Sequence, residues 1–103
     1  MGKFVTIPAA GGGKMRAYVA TPAKGSGPGI VVLQEIFGVN AYIREICDLY
    51  AAEGYVAMAP DLFWRLEKDV DLGHGEADFK RAFDLYGRFD VAKGVRDIAA
   101  AVK

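Results

Sequence analysis

The 103-residue sequence contains one cysteine, one serine and one histidine, so it is poor in the side chains that build disulfides, zinc sites and nucleophilic centres. The lone Cys47 excludes an intrachain disulfide and any zinc site made of several thiolates. Ser26 and His74 both lie in glycine-containing stretches, and neither stands in a G-x-S-x-G turn or its cysteine counterpart. This pattern argues against a catalytic Ser26–His74 pair and shows no nucleophile turn within the chain.

The sequence also lacks an excess of charge and a long apolar run. Its 13 basic residues balance 13 acidic ones, which gives no electrostatic basis for binding nucleic acid or an anionic membrane. No apolar stretch approaches the roughly 20 residues of a membrane span, and the N-terminus has no signal-peptide core. We therefore expect a cytoplasmic protein that binds neither nucleic acid nor membranes, and whose residues 1–103 contribute to a single domain.

Acidic residues surround His74 in the sequence, which raises the question of a metal site. They are Asp69, Asp71, Glu76 and Asp78. Their spacing fits no zinc pattern, and a calcium loop that began at Asp69 would need a glutamate where Lys80 stands. We interpret these carboxylates as solvated and expect neither a metal nor a cofactor.

Short β-prone runs and one helical pattern organise the first 60 residues. Residues 4–7 and 15–20 flank a glycine-rich connection and predict an antiparallel hairpin. Residues 30–33 are four consecutive apolar residues, which is typical of a strand buried on both faces. A helix that begins after Asn40, followed by a strand at residues 55–59, completes a β-α-β unit with parallel strands.

Two further helices are predicted, one at residues 76–88 and one from residue 90 onward. In each helix, apolar side chains recur on one face, which we interpret as a core-facing surface. These side chains are Phe79, Ala82, Phe83 and Tyr86 in the first helix and Val91, Val95, Ile98 and Val102 in the second. Together the elements predict an α/β fold with a mostly parallel sheet and an antiparallel N-terminal hairpin.

Glu35 is the first functional candidate because it follows the predicted strand at residues 30–33 directly. Ligands of open α/β sheets gather at the carboxyl ends of strands, and a carboxylate at such a strand end is costly to desolvate unless it has a partner. Asp61, after Pro60, could be a catalytic acid, but its context favours a turn. Cys47 lies on the apolar stripe of its helix and is interpreted as a buried thiol.

Two motifs and their spacing resemble the dienelactone hydrolases, also named carboxymethylenebutenolidases. The first is Gln-Glu-Ile-Phe-Gly-Val-Asn at residues 34–40, and the second is Glu-Gly-Tyr-Val-Ala-Met-Ala-Pro-Asp-Leu at residues 53–62. Further residues that look like the family are Ile43, Arg44, Phe89, Asp90, Gly94, Val95 and Asp97. The likeness covers nearly all of the chain and corresponds to the N-terminal portion of the family only.

The resemblance implies the N-terminal part of an α/β-hydrolase fold and the hydrolysis of an ester or lactone by a Cys-Asp-His triad. In that family the acid that matches Glu35 interacts with the nucleophilic thiol, and the backbone N–H that matches Ile36 helps to form the oxyanion hole. Phe37 follows these residues and is expected to contact the substrate. The residues that match the triad would lie beyond Lys103, so we expect residues 1–103 to be inactive alone.

The sequence departs from the family at two positions of the substrate site. An arginine that holds the substrate carboxylate and a neighbouring tyrosine correspond to Phe79 and Phe83 here. A phenyl ring cannot replace a guanidinium partner, so we expect a less anionic substrate.

The resemblance also implies that the strand at residues 29–33 pairs with a strand absent from this chain. A complementary C-terminal segment, or a partner, is then expected to cover that edge. Two alternatives stay open at this point: a non-catalytic α/β interaction module and an esterase with a serine nucleophile.

Overall fold

The computed structural model describes residues 2–68, 70–73 and 75–102, so the interpretations that rest on Asp69 and His74 fall outside the described residues. It confirms the predicted succession of strands and helices, with a short 3-10 turn at Ala10–Gly12 inside the N-terminal hairpin. The elements are β1 (Gly2–Pro8), β2 (Lys14–Ala20), β3 (Gly29–Val31), α1 (Ala41–Ala52), β4 (Val56–Pro60), α2 (Glu76–Arg88) and α3 (Val91–Val102). None of the described helices is both long and apolar enough to cross a membrane.

The strands form one mixed sheet in the order β1-β2-β4-β3. The predicted antiparallel hairpin pairs Phe4 with Tyr18, and β2 pairs with β4 in the antiparallel sense as well. The predicted parallel pair is β3 with β4, where Ile30 lies opposite Ala57. The α/β class and the N-terminal hairpin are therefore confirmed, and one of the three strand pairings in the described sheet is parallel.

Helix α1 begins and ends as its sequence predicts. The Asn40 side chain accepts a hydrogen bond from the Ile43 N–H at 3.2 Å, which caps the helix. Gly54 follows the helix with a φ of 101°, a conformation that favours glycine. Ile43 and Cys47 turn toward the sheet and pack in a core that includes Ala57.

The prediction that strand β3 is buried on both faces is wrong. Ile30 and Val32 pack against the core under α1 but are only half-buried, as is Val31, and Leu33 is 52% exposed. The physical reason is position: within the described sheet β3 is the edge strand. Its second face borders an open cleft near Val102.

The predicted core faces of α2 and α3 are also wrong in part. The buried residues are Ala82 and Leu85 in α2 and Gly94, Asp97 and Ala101 in α3. Large side chains of the predicted faces are 39% to 69% exposed; they are Phe79, Phe83, Tyr86, Val91, Val95 and Val102. The buried surfaces of the helices consist of three small residues together with Leu85, which packs with Phe63 and Val70, and the hydrogen-bonded Asp97. At Gly94, a Cβ atom would lie 2.4 Å from the Phe89 ring.

Candidate functional site

The candidate site lies where the parallel strands β3 and β4 end at the same edge of the sheet. The chain makes a turn after each strand, and the two turns border an open cleft of about 140 Å³. The residues that line it are Gln34, Glu35, Ile36, Leu62, Phe63, Tyr86 and Phe89. The structure therefore brings Glu35 and Ile36 together with residues of the turn after β4 and the end of α2.

The turn after β3 is held in one conformation by glycine. Gly38 has a φ of 82° and its N–H donates to the Glu35 carbonyl at 3.2 Å. A Cβ atom at this position would lie 2.2 Å from the carbonyl oxygen of Val70, so a larger residue does not fit. The Leu72 N–H donates to the Phe37 carbonyl at 2.9 Å and fixes the far side of the turn. Glu35 projects from this turn with an exposed side chain at the cleft.

The Gln34 side chain connects the two turns. Its Oε1 accepts a hydrogen bond from the Leu62 N–H at 2.8 Å, and its Nε2 donates to the Glu35 carbonyl at 3.1 Å. Sequence reasoning treated Gln34 only as part of a motif and missed this role. Pro60 is the signal in the sequence that could have indicated this role. Proline has no N–H with which to continue the backbone hydrogen bonds between β3 and β4.

The turn after β4 begins at Asp61, which is 1% exposed. Its Oδ1 accepts from the Phe63 N–H at 3.2 Å, and its own N–H donates to the Arg16 carbonyl at 2.8 Å. The interpretation of Asp61 as a turn residue is confirmed.

The same turn is anchored from α3 by Asp97, whose carboxylate is fully buried. This carboxylate accepts from the Trp64 indole at 2.9 Å, from the Ala10 N–H at 3.0 Å and from the Arg65 guanidinium. Burial acts to raise the pKa of Asp97, but these hydrogen bonds outweigh it and leave that pKa below its ordinary value. Sequence reasoning missed this anchor, because its partners lie 32, 33 and 87 residues away along the chain.

The three aromatic residues predicted at the substrate site, Phe37, Phe79 and Phe83, lie together. The Phe37 and Phe79 rings meet edge to face with centroids 5.1 Å apart, and Phe79 stacks on Phe83 at 6.3 Å. Tyr86, one turn further along α2, lines the cleft itself. The interpretation of Phe79, Phe83 and Tyr86 as core is wrong, since their exposed rings form a stripe that runs to the cleft.

Charge near the cleft is sparse. Among the seven described residues that line it, Glu35 is the one carboxylate, and none is lysine or arginine. Arg81 on α2 pairs instead with Glu67. Within the described part of the chain, no group of three or more histidine, cysteine or acidic side chains is placed to hold a metal.

Cys47 lies away from the cleft, in the core beneath α1, and is fully buried. Burial, with a smaller effect of the nearby Asp48, raises the pKa of its thiol to about 11. A thiol in this state is a poor nucleophile, which confirms the interpretation of Cys47 as a core residue.

Comparison with known proteins places the chain in a family. Residues 15–103 match the model of the dienelactone hydrolase family. A relative from Azospirillum brasilense named "Putative carboxymethylenebutenolidase" is 47% identical over 91 residues, which are 86% of this chain and 39% of that protein. The carboxymethylenebutenolidase of Pseudomonas sp. (strain P51) is 37% identical over 95% of this chain and 42% of its own length.

A solved structure shows the same relationship. The crystal structure described as a "Putative Dienelactone Hydrolase" from Klebsiella pneumoniae is 33% identical, with a TM-score of 0.79 over 98% of this chain and 41% of that one. The chain thus spans about two fifths of the length of the relatives it matches. In sequence and in fold, the chain belongs to the dienelactone hydrolase family.

Proposed function

We propose that residues 1–103 are the N-terminal portion of one α/β-hydrolase domain that cleaves a carboxylic ester or lactone in the cytoplasm. The observation that carries the proposal is the placement of Glu35 and Ile36 at a cleft formed where two parallel strands end, in a chain of the dienelactone hydrolase family. The nucleophile comes from outside these residues, as a cysteine of a Cys-Asp-His triad.

The proposed chemistry gives Glu35 and Ile36 different roles. The nucleophile attacks the ester carbonyl, and negative charge develops on the carbonyl oxygen. The Ile36 N–H donates a hydrogen bond to that oxygen, an interaction that is typically worth about 3–4 kcal/mol in the transition state. None of the hydrogen bonds described for residues 34–38 uses this N–H, which leaves it available for the substrate. The Glu35 carboxylate interacts with the thiol before substrate binds.

The substrate is proposed to be less anionic than a dienelactone that carries a free carboxylate. The exposed rings of Phe79 and Phe83 offer apolar contact area on the stripe that leads to the cleft, while Phe37 is buried and supports Phe79. No basic side chain lines that cleft in the described part of the chain. An anionic substituent would lose water there without gaining a cationic partner, and it would also face the charge of Glu35.

A C-terminal segment is proposed to cover the free edge of β3. That edge is unpaired in the described sheet, and Leu33 and Val102, the α3 residue that borders the strand, are exposed. Such an apolar edge pairs readily with another strand. Residues 1–103 alone are then expected to self-associate, and sedimentation velocity over a range of concentrations measures this. A single monomeric species at every concentration would count against the proposal.

The catalytic proposal is tested with Glu35→Gln in a chimaera that joins residues 1–103 to the C-terminal portion of the Pseudomonas relative. We expect the variant to hydrolyse an activated ester more slowly than the unmodified chimaera. Glu45→Gln, at an exposed position of α1, is the matched control and should retain the full rate. Undiminished turnover in Glu35→Gln would remove the role of that carboxylate.

A second candidate function is a non-catalytic module that binds a partner strand, and the free β3 edge favours it. The residues encoded after Lys103 separate the candidates. A G-x-C-x-G turn followed by aspartate and histidine favours the thiol hydrolase, and G-x-S-x-G favours a serine esterase. If neither turn is encoded, the binding module is favoured.

A further inference from the structure

We infer that Gln34 is a positioning residue, which fixes the turn that carries Glu35 and Ile36 relative to the turn after β4. We call the two hydrogen bonds of the Gln34 side chain, one from the Leu62 N–H and one to the Glu35 carbonyl, the clamp. The clamp is argued from geometry alone, whereas its catalytic consequence rests on the proposed function. Gln34 is half-buried and lines the cleft, where its side-chain amide both accepts and donates a hydrogen bond.

The ladder between β3 and β4 explains why a side chain is needed at this point. The Val56 N–H donates to the Pro28 carbonyl at 2.9 Å, and the Val32 N–H donates to the Met58 carbonyl at 2.7 Å. The next residue of β4 in this series is Pro60, which has no N–H to give. Backbone pairing therefore stops one step before the cleft, and the two strand ends need another connection.

The Gln34 amide supplies that connection with both of its ends. The Leu62 N–H reaches Oε1 at 2.8 Å, while Nε2 reaches the Glu35 carbonyl at 3.1 Å. The Glu35 carbonyl also accepts from Gly38, so both hydrogen bonds orient the peptide that links Glu35 to Ile36. That peptide carries the Ile36 N–H, so loss of the clamp would change the direction of the proposed oxyanion donor.

Two substitutions separate the two ends of the clamp. Gln34→Met has a similar length and removes both hydrogen bonds. Gln34→Glu keeps an acceptor for the Leu62 N–H but, when ionised, sets a negative oxygen against the Glu35 carbonyl. When protonated, the same side chain can donate again, and it then resembles glutamine.

The first measurement is amide hydrogen exchange by NMR on the chimaera, in which the C-terminal portion covers the β3 edge. Gln34→Met should raise the exchange rate of the Leu62 and Gly38 amides about tenfold. In Gln34→Glu, the protection of the Gly38 amide, measured as the exchange rate of an unstructured amide at the same pH divided by its own, should be low at neutral pH and should rise as the pH falls through the carboxyl pKa of about 4.3. The unmodified chain should show no such recovery. Unchanged exchange in both variants would overturn the clamp.

A matched control is Asn40→Asp, an amide-to-carboxylate change at the other anchor of the same turn. It removes the hydrogen bond from Asn40 Nδ2 to the Leu72 carbonyl at 3.0 Å but keeps the helix-capping acceptor. It should leave the exchange of the Leu62 amide unchanged at neutral and at low pH.

The second measurement is steady-state kinetics in the chimaera. Gln34→Met should lower kcat about tenfold with KM within twofold, because the donor acts on charge that exists only in the transition state. Equal kcat values would overturn the positioning role. An inactive unmodified chimaera would instead count against the proposed hydrolase, and hydrogen exchange would still decide whether Gln34 holds the turn.

Discussion

The buried carboxylate of Asp97 accepts hydrogen bonds with both oxygens from one edge of the Arg65 guanidinium, with Nε 3.1 Å from Oδ2 and Nη2 3.0 Å from Oδ1. Arg65 also donates to the Ala10 carbonyl, so the pair ties α3 to the N-terminal hairpin and to the turn after β4. That turn forms one side of the candidate cleft. The geometry of the cleft therefore depends on an ion pair that lies outside it.

Replacement of Asp97 by asparagine should destabilise the fold. The asparagine amide keeps the shape of the carboxylate but places an N–H where the structure already supplies donors from Arg65, Trp64 and Ala10. We expect the free energy of unfolding to fall by about 2–4 kcal/mol, as measured by urea denaturation. Asp84→Asn, which breaks an exposed pair with Arg88 on α2, is the control and should cost less than about 1 kcal/mol. Equal costs for the two variants would contradict the role of the buried pair.

The same carboxylate predicts a pH dependence. Burial acts to raise the pKa of Asp97, but the hydrogen bonds it accepts lower that pKa below its ordinary value. The folded chain then binds fewer protons at this group than the unfolded chain does. The stabilisation is complete above the unfolded pKa of about 3.9 and is lost as the pH falls through the lower folded pKa. Urea titrations between about pH 2 and pH 6 should show a steeper loss of stability in the unmodified chain than in Asp97→Asn, and parallel curves would contradict this.

Local signals predicted the elements of the fold well. The cap at Asn40 and the turn at Asp61 depend on residues two or three positions away, and such short-range chemistry is readable in the sequence. The faces of α2 and α3 were not predicted correctly, because periodicity shows which side chains share a face but not which face has a neighbour. Phe83 and Val95 show this: both lie on regular apolar stripes, yet they are 60% and 59% exposed.

The candidate site, like the fold, was predicted only in part. Glu35 was predicted from its position after a strand, and the structure places it at a cleft beside Ile36. Gln34 and Asp97 were missed as parts of the architecture, because the Leu62 N–H that Gln34 accepts from lies 28 residues away and the partners of Asp97 lie 32 or more residues away. These contacts become visible only in the fold. Their roles depend on tertiary contact, which no local pattern encodes.

Cys47 should be chemically inert while the chain is folded. Its thiol is fully buried and burial raises its pKa to about 11, so at pH 8 it offers neither access nor thiolate. We expect an aromatic disulfide reagent to label Cys47 only at the rate of unfolding, as followed by absorbance. The chain unfolded in urea is the positive control and should react at once. Rapid labelling of the native chain would show that the thiol is accessible.

Gly38 should tolerate substitution less well than Gly11, although the two glycines have nearly the same backbone conformation. Gly38 and Gly11 have φ values of 82° and 81°, but a Cβ atom at 38 would lie 2.2 Å from the Val70 carbonyl oxygen, whereas at 11 nothing lies within 4 Å. Gly11→Ala therefore carries only the conformational cost of about 1–2 kcal/mol. Gly38→Ala adds a clash with the Val70 backbone, which cannot move without opening the turn beside Glu35. Its loss in the free energy of unfolding, measured by urea denaturation, should therefore exceed that of Gly11→Ala by at least about 2 kcal/mol. Equal costs would mean that the turn and the Val70 backbone separate easily.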